Sequence, residues 1–156
     1  METTRHFTTT TYVVNDGATA LHEHPSLGIR IPPGGHLARD ELPHEAAVRE
    51  VYEETGLDAT LVAAEGVASP AGRSLPQPAY QMLYDVDSVD GRPVHQHVDH
   101  VFFARVPTRD IAPAGDDETP ADAWDWYTPT DLRTAGLDDD VVTIGTEAIE
   151  AVETEE

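Results

Sequence analysis

The run Pro32-Pro33-Gly34-Gly35, closely followed by a strongly helical stretch, constrains this chain more than any other segment. Proline fixes φ and removes a donor while glycine frees the backbone, so these four positions are expected to form a loop without regular structure. From Pro43 to Thr55 the composition turns helical, with Pro43 suited to the first turn and Gly56 to the stop. The two glycines bring bare carbonyls close to the start of that helix.

Successive helix positions are about 100° apart, so Ala47, Val51 and Glu54 project close together and Glu50 and Glu53 follow beside them. The three glutamates form one arc next to the apolar stripe, and Arg49 stands at i, i+4 from Glu53. Acidic helix positions are usually a solvated face. Here the preceding loop gives them a second meaning: carboxylates and a loop oxygen together suit a hard divalent cation such as Mg2+, which relieves their mutual repulsion.

Around this module the chain alternates strand and turn signals. Thr8–Val14 reads as a strand, Asn15-Asp16-Gly17 as a turn, and Ala18–His22 as the returning strand. Further strands are expected at Ile29–Ile31, Ala59–Ala64, Tyr80–Val86, Val94–Val106 and Trp124–Tyr127, with a turn at Asp90-Gly91. Ala112–Ala123 reads as a mobile acidic loop, and Asp138–Asp140 as the cap of a last amphipathic helix carrying Val141, Ile144, Ala148, Ile149 and Val152. Glu153–Glu156 is expected to fray. With neither repeat nor linker, residues 1–156 are read as one domain.

Composition removes whole classes of function. No cysteine is present, which excludes disulfides, thiolate zinc sites and cysteine nucleophiles. The 30 acidic and 9 basic residues leave a net charge of −21, which repels nucleic-acid duplexes and anionic membranes, so a polyanionic substrate must come in with metal ions. Every basic residue is arginine. That balance resembles proteins from salt-loaded cytoplasms, a halophilic reading, against the alternative of an acidic protein from a high-GC genome. No apolar run spans a bilayer and the start lacks a secretory profile, so a cytoplasmic protein is expected.

From Gly35 to Leu57 the sequence GHLARDELPHEAAVREVYEETGL fits G-x5-E-x7-R-E-U-x-E-E-x-G-U at every specified position, U being a bulky aliphatic residue. This is the Nudix box, and the chain resembles a Nudix hydrolase. Pro33-Gly34 before the box and Trp126-Tyr127 followed by Pro129-Thr130-Asp131-Leu132 are similar to the family outside it. The resemblance implies an α/β fold, an α/β/α sandwich with a mixed β-sheet. It also implies hydrolysis of a nucleoside diphosphate linked to another group, with Mg2+ or Mn2+ as cofactor. By position, Glu50, Glu53 and Glu54 would be metal-binding carboxylates and the Gly35 carbonyl a further ligand. Arg49 would hold the carboxylates, and Glu41 would support the loop. The base could be Glu118 in the loop Asp116-Asp117-Glu118, or Glu50, unless that loop is merely solvated acid. The partner implied is a small nucleotide-type molecule; a second copy in a homodimer is a separate expectation. A binding or regulatory protein with a Nudix domain is the alternative; such proteins usually have a damaged box.

Other residues admit more than one reading. His95, His97 and Asp99 share one strand face and could chelate a transition metal, contact substrate or play no specific role. His36 and His44 fall at unspecified box positions and are expected to be non-catalytic. Tyr80, Tyr84 and Phe103 could stack on a nucleobase or belong to the core. Ser69-Pro70-Ala71-Gly72 faintly resembles a turn of ADP-ribose pyrophosphatases, at a shorter distance from Leu57. Isopentenyl diphosphate isomerases share the box, but their chemistry needs a cysteine.

Overall fold

The computed structural model describes residues 2–64 and 66–155. Strand β1 (Thr4–Asn15) is rich in threonine, tyrosine and valine, side chains that suit a pleated surface. Asp16 and Gly17 then take φ of 47° and 76°, the mirror-image two-residue turn whose twist matches a hairpin, and β2 (Ala18–Glu23) returns. Short strands β3 (Arg30–Ile31) and β4 (Gly34–His36) lead to helix α1 (Pro43–Thr55). After α1 come β5 (Thr60–Val62) and the hairpin β6 (Ala68–Ser69) and β7 (Gly72–Arg73). Two long strands follow, β8 (Tyr80–Val89) and β9 (Arg92–Arg105), joined by a second such turn at Asp90-Gly91. The chain closes with β10 (Trp124–Tyr127), α2 (Pro129–Thr134) and α3 (Asp139–Thr154).

Among the described residues, eight strands form one mixed sheet whose main path is β10-β2-β1-β9-β5. β1 and β9 run parallel with His6 opposite His97 and Tyr12 opposite Phe103; the other pairs are antiparallel. Both faces of this sheet are covered. Tyr12, Val14, Val101 and Phe103 pack with Val141, Ile144, Ala148, Ile149 and Val152 of α3. On the other face Val13 and Val106 pack with Val51 of α1 and Leu57. Alternation along β1 and β9 therefore sorts every side chain to the α1 face or the α3 face. This is the α/β/α sandwich that the box implies.

Several expectations need correction. Gly34 and Gly35 are not irregular: β4 pairs with Thr8–Thr10 of β1, and a Cβ at Gly34 would sit 2.2 Å from the Thr9 carbonyl oxygen. Glycine is needed there for close approach of two strands, not for disorder. Helix α2 is an element beyond those expected, and Thr128 and Asp131 cap it reciprocally, Asp131 N donating to Thr128 Oγ1 at 3.2 Å and Thr128 N to Asp131 Oδ2 at 3.0 Å. Asp138 is the N-cap residue of α3 but makes no side-chain capping bond. Glu153 is not frayed, since its carboxylate accepts from Gly17 N at 2.9 Å; the last residue of that expected tail lies outside the described residues. The segment after β9 is anchored at its start: Ala112 N donates to Thr55 O at 2.8 Å, and Ala114 N and Gly115 N donate to Glu53 O at 3.0 and 2.9 Å. Those carbonyls are the ones a helix leaves unsatisfied at its end.

Candidate active site

Helix α1 starts at Pro43, with the Glu45 carboxylate accepting from Leu42 N at 2.9 Å, and stops at Gly56, whose φ of 73° suits glycine. Its buried stripe, Ala46, Ala47, Val51 and Thr55, docks on the sheet. Rotation about the axis then carries Glu50, Glu53 and Glu54 to the edge nearest β4 and the segment 112–118.

Arg49 organises this edge. Its guanidinium grips Glu41 bidentately, Nε to Oε2 at 2.7 Å and Nη2 to Oε1 at 2.9 Å. Nη1 donates to Glu50 Oε1 at 2.9 Å and Glu53 Oε2 at 3.0 Å, and Nη2 also donates to the His36 carbonyl at 3.0 Å. The pairing with Glu41 raises the pKa of Arg49 and lowers that of Glu41 below the usual carboxylate value. Glu41 also accepts from Ala38 N at 2.9 Å, so it braces the loop ahead of the helix.

Glu54 is differently placed. Its Oε2 accepts from Gly34 N at 2.7 Å, and burial, reinforced by the charges of Glu50, Glu118 and Glu53, pushes its pKa up to about 8. Burial also raises Glu50, against the opposing pull of Arg49. Gly35 lies flat against Glu50: a Cβ there would be 2.6 Å from Glu50 Oε1. Because the segment 112–115 is tied to the end of α1, Glu118 comes to the same edge. A Cβ on Gly115 would lie 2.8 Å from Glu118 Oε1 and 3.2 Å from Glu53 Cβ. Burial, then the charges of Glu53 and Asp117, raises the Glu118 pKa. A cleft of about 520 Å3 opens beside Glu118, lined also by Glu23, His24, Asp117 and Pro120.

All the residues anticipated for the site, Gly35, Arg49, Glu50, Glu53, Glu54 and Glu118, thus meet at one edge of α1. His95, His97 and Asp99 do not join them. They lie on the α3 face, where Asp99 Oδ1 accepts from Thr8 Oγ1 at 2.8 Å. Tyr80 and Tyr84 donate to Glu147 and Asp140 of α3, and Phe103 is core, so all three pack against α3 rather than flanking the glutamates. Ser69-Pro70-Ala71-Gly72 forms the exposed β6-β7 hairpin.

The NUDIX domain pattern matches residues 5–144, and the chain belongs to this family. It is a Nudix hydrolase, of the broad class that cleaves pyrophosphate linkages. A hydrolase of the NUDIX family from Clostridium perfringens is 29% identical with a TM-score of 0.80, over 96% of this chain and 99% of that one. A NUDIX hydrolase from Nitrosomonas europaea (18% identity, TM-score 0.57, 95% and 90% covered) shares the fold. So does a MutT protein from Bacillus halodurans (16% identity, TM-score 0.60, 92% and 82% covered). No curated protein matches the chain. No helix among the described residues is long and apolar enough to cross a membrane.

The family uses divalent metals, and the donor set here fits one in kind: three carboxylates and a backbone carbonyl are hard oxygen ligands. The fit also rests on charge. Glu54 is half-buried with only the Gly34 N–H bonded to it, so a cation at this edge would favour its ionised form. As the side chains stand, no three His, Asp or Glu groups among the described residues converge as ligands, and Arg49 holds Glu50 and Glu53.

Proposed function

We propose that this chain is a Mg2+-dependent hydrolase, Mn2+ substituting, of a nucleoside diphosphate linked to a second group. One observation carries the reading: Glu50 and Glu53 gather around Arg49, Glu54 beside them accepts from Gly34 N, and the Gly35 backbone is pressed against the Glu50 carboxylate. In it, Glu50, Glu53, Glu54 and the Gly35 carbonyl hold the cation, and Arg49, braced by Glu41, positions Glu50 and Glu53. A divalent cation bound there neutralises the diphosphate and activates water. The charge of −21 makes that neutralisation a condition of substrate binding.

Glu118 is the base in this reading, supported by its approach to Glu53 and its position on the wall of the cleft. A raised carboxyl pKa improves it as a proton acceptor. Water oxygen bonds to one phosphorus, the bond from that phosphorus to the bridging oxygen breaks, and the water proton passes to the Glu118 carboxylate. Two phosphate monoesters leave. A panel of nucleoside diphosphate derivatives and nucleoside triphosphates, followed by phosphorus NMR with and without Mg2+, tests the reading. Metal-dependent cleavage of at least one member is expected. A folded protein that cleaves none would leave the regulatory, nucleotide-binding alternative.

A further inference from the structure

We propose that His6, His36, His95 and His97 form a second metal site, for a d-block divalent cation of the Zn2+ class, on the α3 face of the sheet. Four of the chain's eight histidines meet here from three strands. Their rings close a circuit: His6 to His36 at 5.5 Å, His36 to His97 at 4.7 Å, His97 to His95 at 5.3 Å and His95 to His6 at 4.7 Å between centroids. All four contacts are edge to face, with interplanar angles of 70–89°.

Those separations are the ones an ion would impose. With metal to nitrogen distances of about 2 Å and ring centres roughly 1 Å behind the nitrogen, two imidazoles on a tetrahedral ion have centres about 5 Å apart. As the side chains stand no three such ligands are gathered among the described residues, so binding requires the rings to turn toward a common point. His6 and His36 are exposed, which leaves an entry path and freedom to turn.

Asp99 is an independent sign of a ligand. It lies two residues beyond His97 on the same face, is 3% exposed, and its Oδ2 has no hydrogen-bond partner. A buried carboxylate oxygen without a donor is costly. A histidine that ligates metal through one nitrogen donates its other N–H to such a carboxylate, which fixes tautomer and orientation. Asp99 is the positioning residue of this site, and Thr8 holds its other oxygen.

The site is chemically distinct from the glutamate edge and lies on the opposite face of the sheet, the two meeting through the His36 backbone, whose carbonyl accepts from Arg49. Borderline imidazole nitrogens select Zn2+, Ni2+ or Cu2+ over Mg2+. Residues 6 of β1 and 97 of β9 share the face of Tyr12 and Phe103, whereas Gly35 meets Glu50 on the α1 face.

Calorimetric titration of the full chain with ZnCl2 in excess MgCl2 tests the proposal. One Zn2+ per chain is expected, and Co2+ in its place should give the strong visible absorption of a four-coordinate ion. His97→Gln, His95→Gln and the exposed His6→Gln should each weaken Zn2+ binding more than about tenfold, Asp99→Asn by about tenfold, and Glu53→Gln should leave it unchanged. Circular dichroism verifies the fold of each variant, and His6→Gln removes no buried group. Absence of Zn2+ binding under excess Mg2+, binding that survives the histidine variants, or binding lost in Glu53→Gln would each overturn the proposal.

Discussion

Substituting alanine at Gly35 isolates the contact on which the site's geometry depends. Gly35 is outside the left-handed region, so alanine is permitted on backbone grounds and the β4–β1 pairing can persist. Reduced freedom of the unfolded chain would alone stabilise the variant by about 0.4–1 kcal/mol. Against this, the new methyl carbon meets Glu50 at 2.6 Å from Oε1, 2.7 Å from Cδ and 3.0 Å from Oε2. Glu50 must leave its position, which breaks the 2.9 Å bond from Arg49. Forcing a side chain aside in a packed site costs about 1–3 kcal/mol, so the net loss should be about 1–2 kcal/mol. For a chain of this size that lowers Tm by about 3–6 °C. Activity should suffer more: displacing a carboxylate proposed to hold the cation by about 1 Å would cost on the order of a hundredfold in kcat. Scanning calorimetry and steady-state turnover of Gly35→Ala read both effects. A variant within threefold of wild-type kcat would refute the idea that Gly35 and Glu50 must touch.

Glu118→Gln should lower kcat by about 10²–10⁴ while leaving KM nearly unchanged, because it removes the proposed proton acceptor and keeps size; a rise in KM alone would make Glu118 a substrate contact. Burial lowers His22 from 6.5 to about 4, and both ring nitrogens lack partners. The folded value lies below the unfolded one, so the neutral ring's contribution is full above pH 6.5 and is lost as pH falls toward 4. That loss is about 3 kcal/mol, and His22→Leu should flatten the acid side of the stability curve by that amount in denaturant titrations. Equal pH slopes in the two proteins would contradict it. Thermal stability should rise with KCl from 0.01 M to 1 M, as the Debye length contracts from about 30 Å to about 3 Å and 30 acidic side chains cease to repel. A Tm independent of KCl would remove the halophilic reading.

The parts legible in the sequence were those written in local signals. Pro43 and Gly56 bracket α1, and Asp16-Gly17 and Asp90-Gly91 announce their hairpins, because each depends on the φ of one or two residues. The spacing of Glu50, Glu53 and Glu54 sets their common edge once a helix is assumed. Strand β4 was hidden because its pairing with β1 is tertiary, and Pro-Pro-Gly-Gly composition argues the opposite. The α2 start is also a local signal, with Thr128 and Asp131 three residues apart around Pro129. Glu118 could be a candidate from sequence but not located, since its approach depends on amides of 112–115 finding carbonyls of α1. His6 and His36 joined His95 and His97 only through sheet register, which no single-strand pattern contains.

The most direct test of metal-dependent hydrolysis at the glutamate edge compares wild type with Glu53→Gln and Glu54→Gln on one cleaved substrate, at saturating Mg2+ and after chelation. Each substitution keeps the side chain's size and removes one charge from the proposed cation site. Wild-type turnover should require the metal. Both variants, folded by circular dichroism, should fall by orders of magnitude even at saturating Mg2+. Near-normal turnover in either variant, or wild-type turnover indifferent to chelation, would contradict the account.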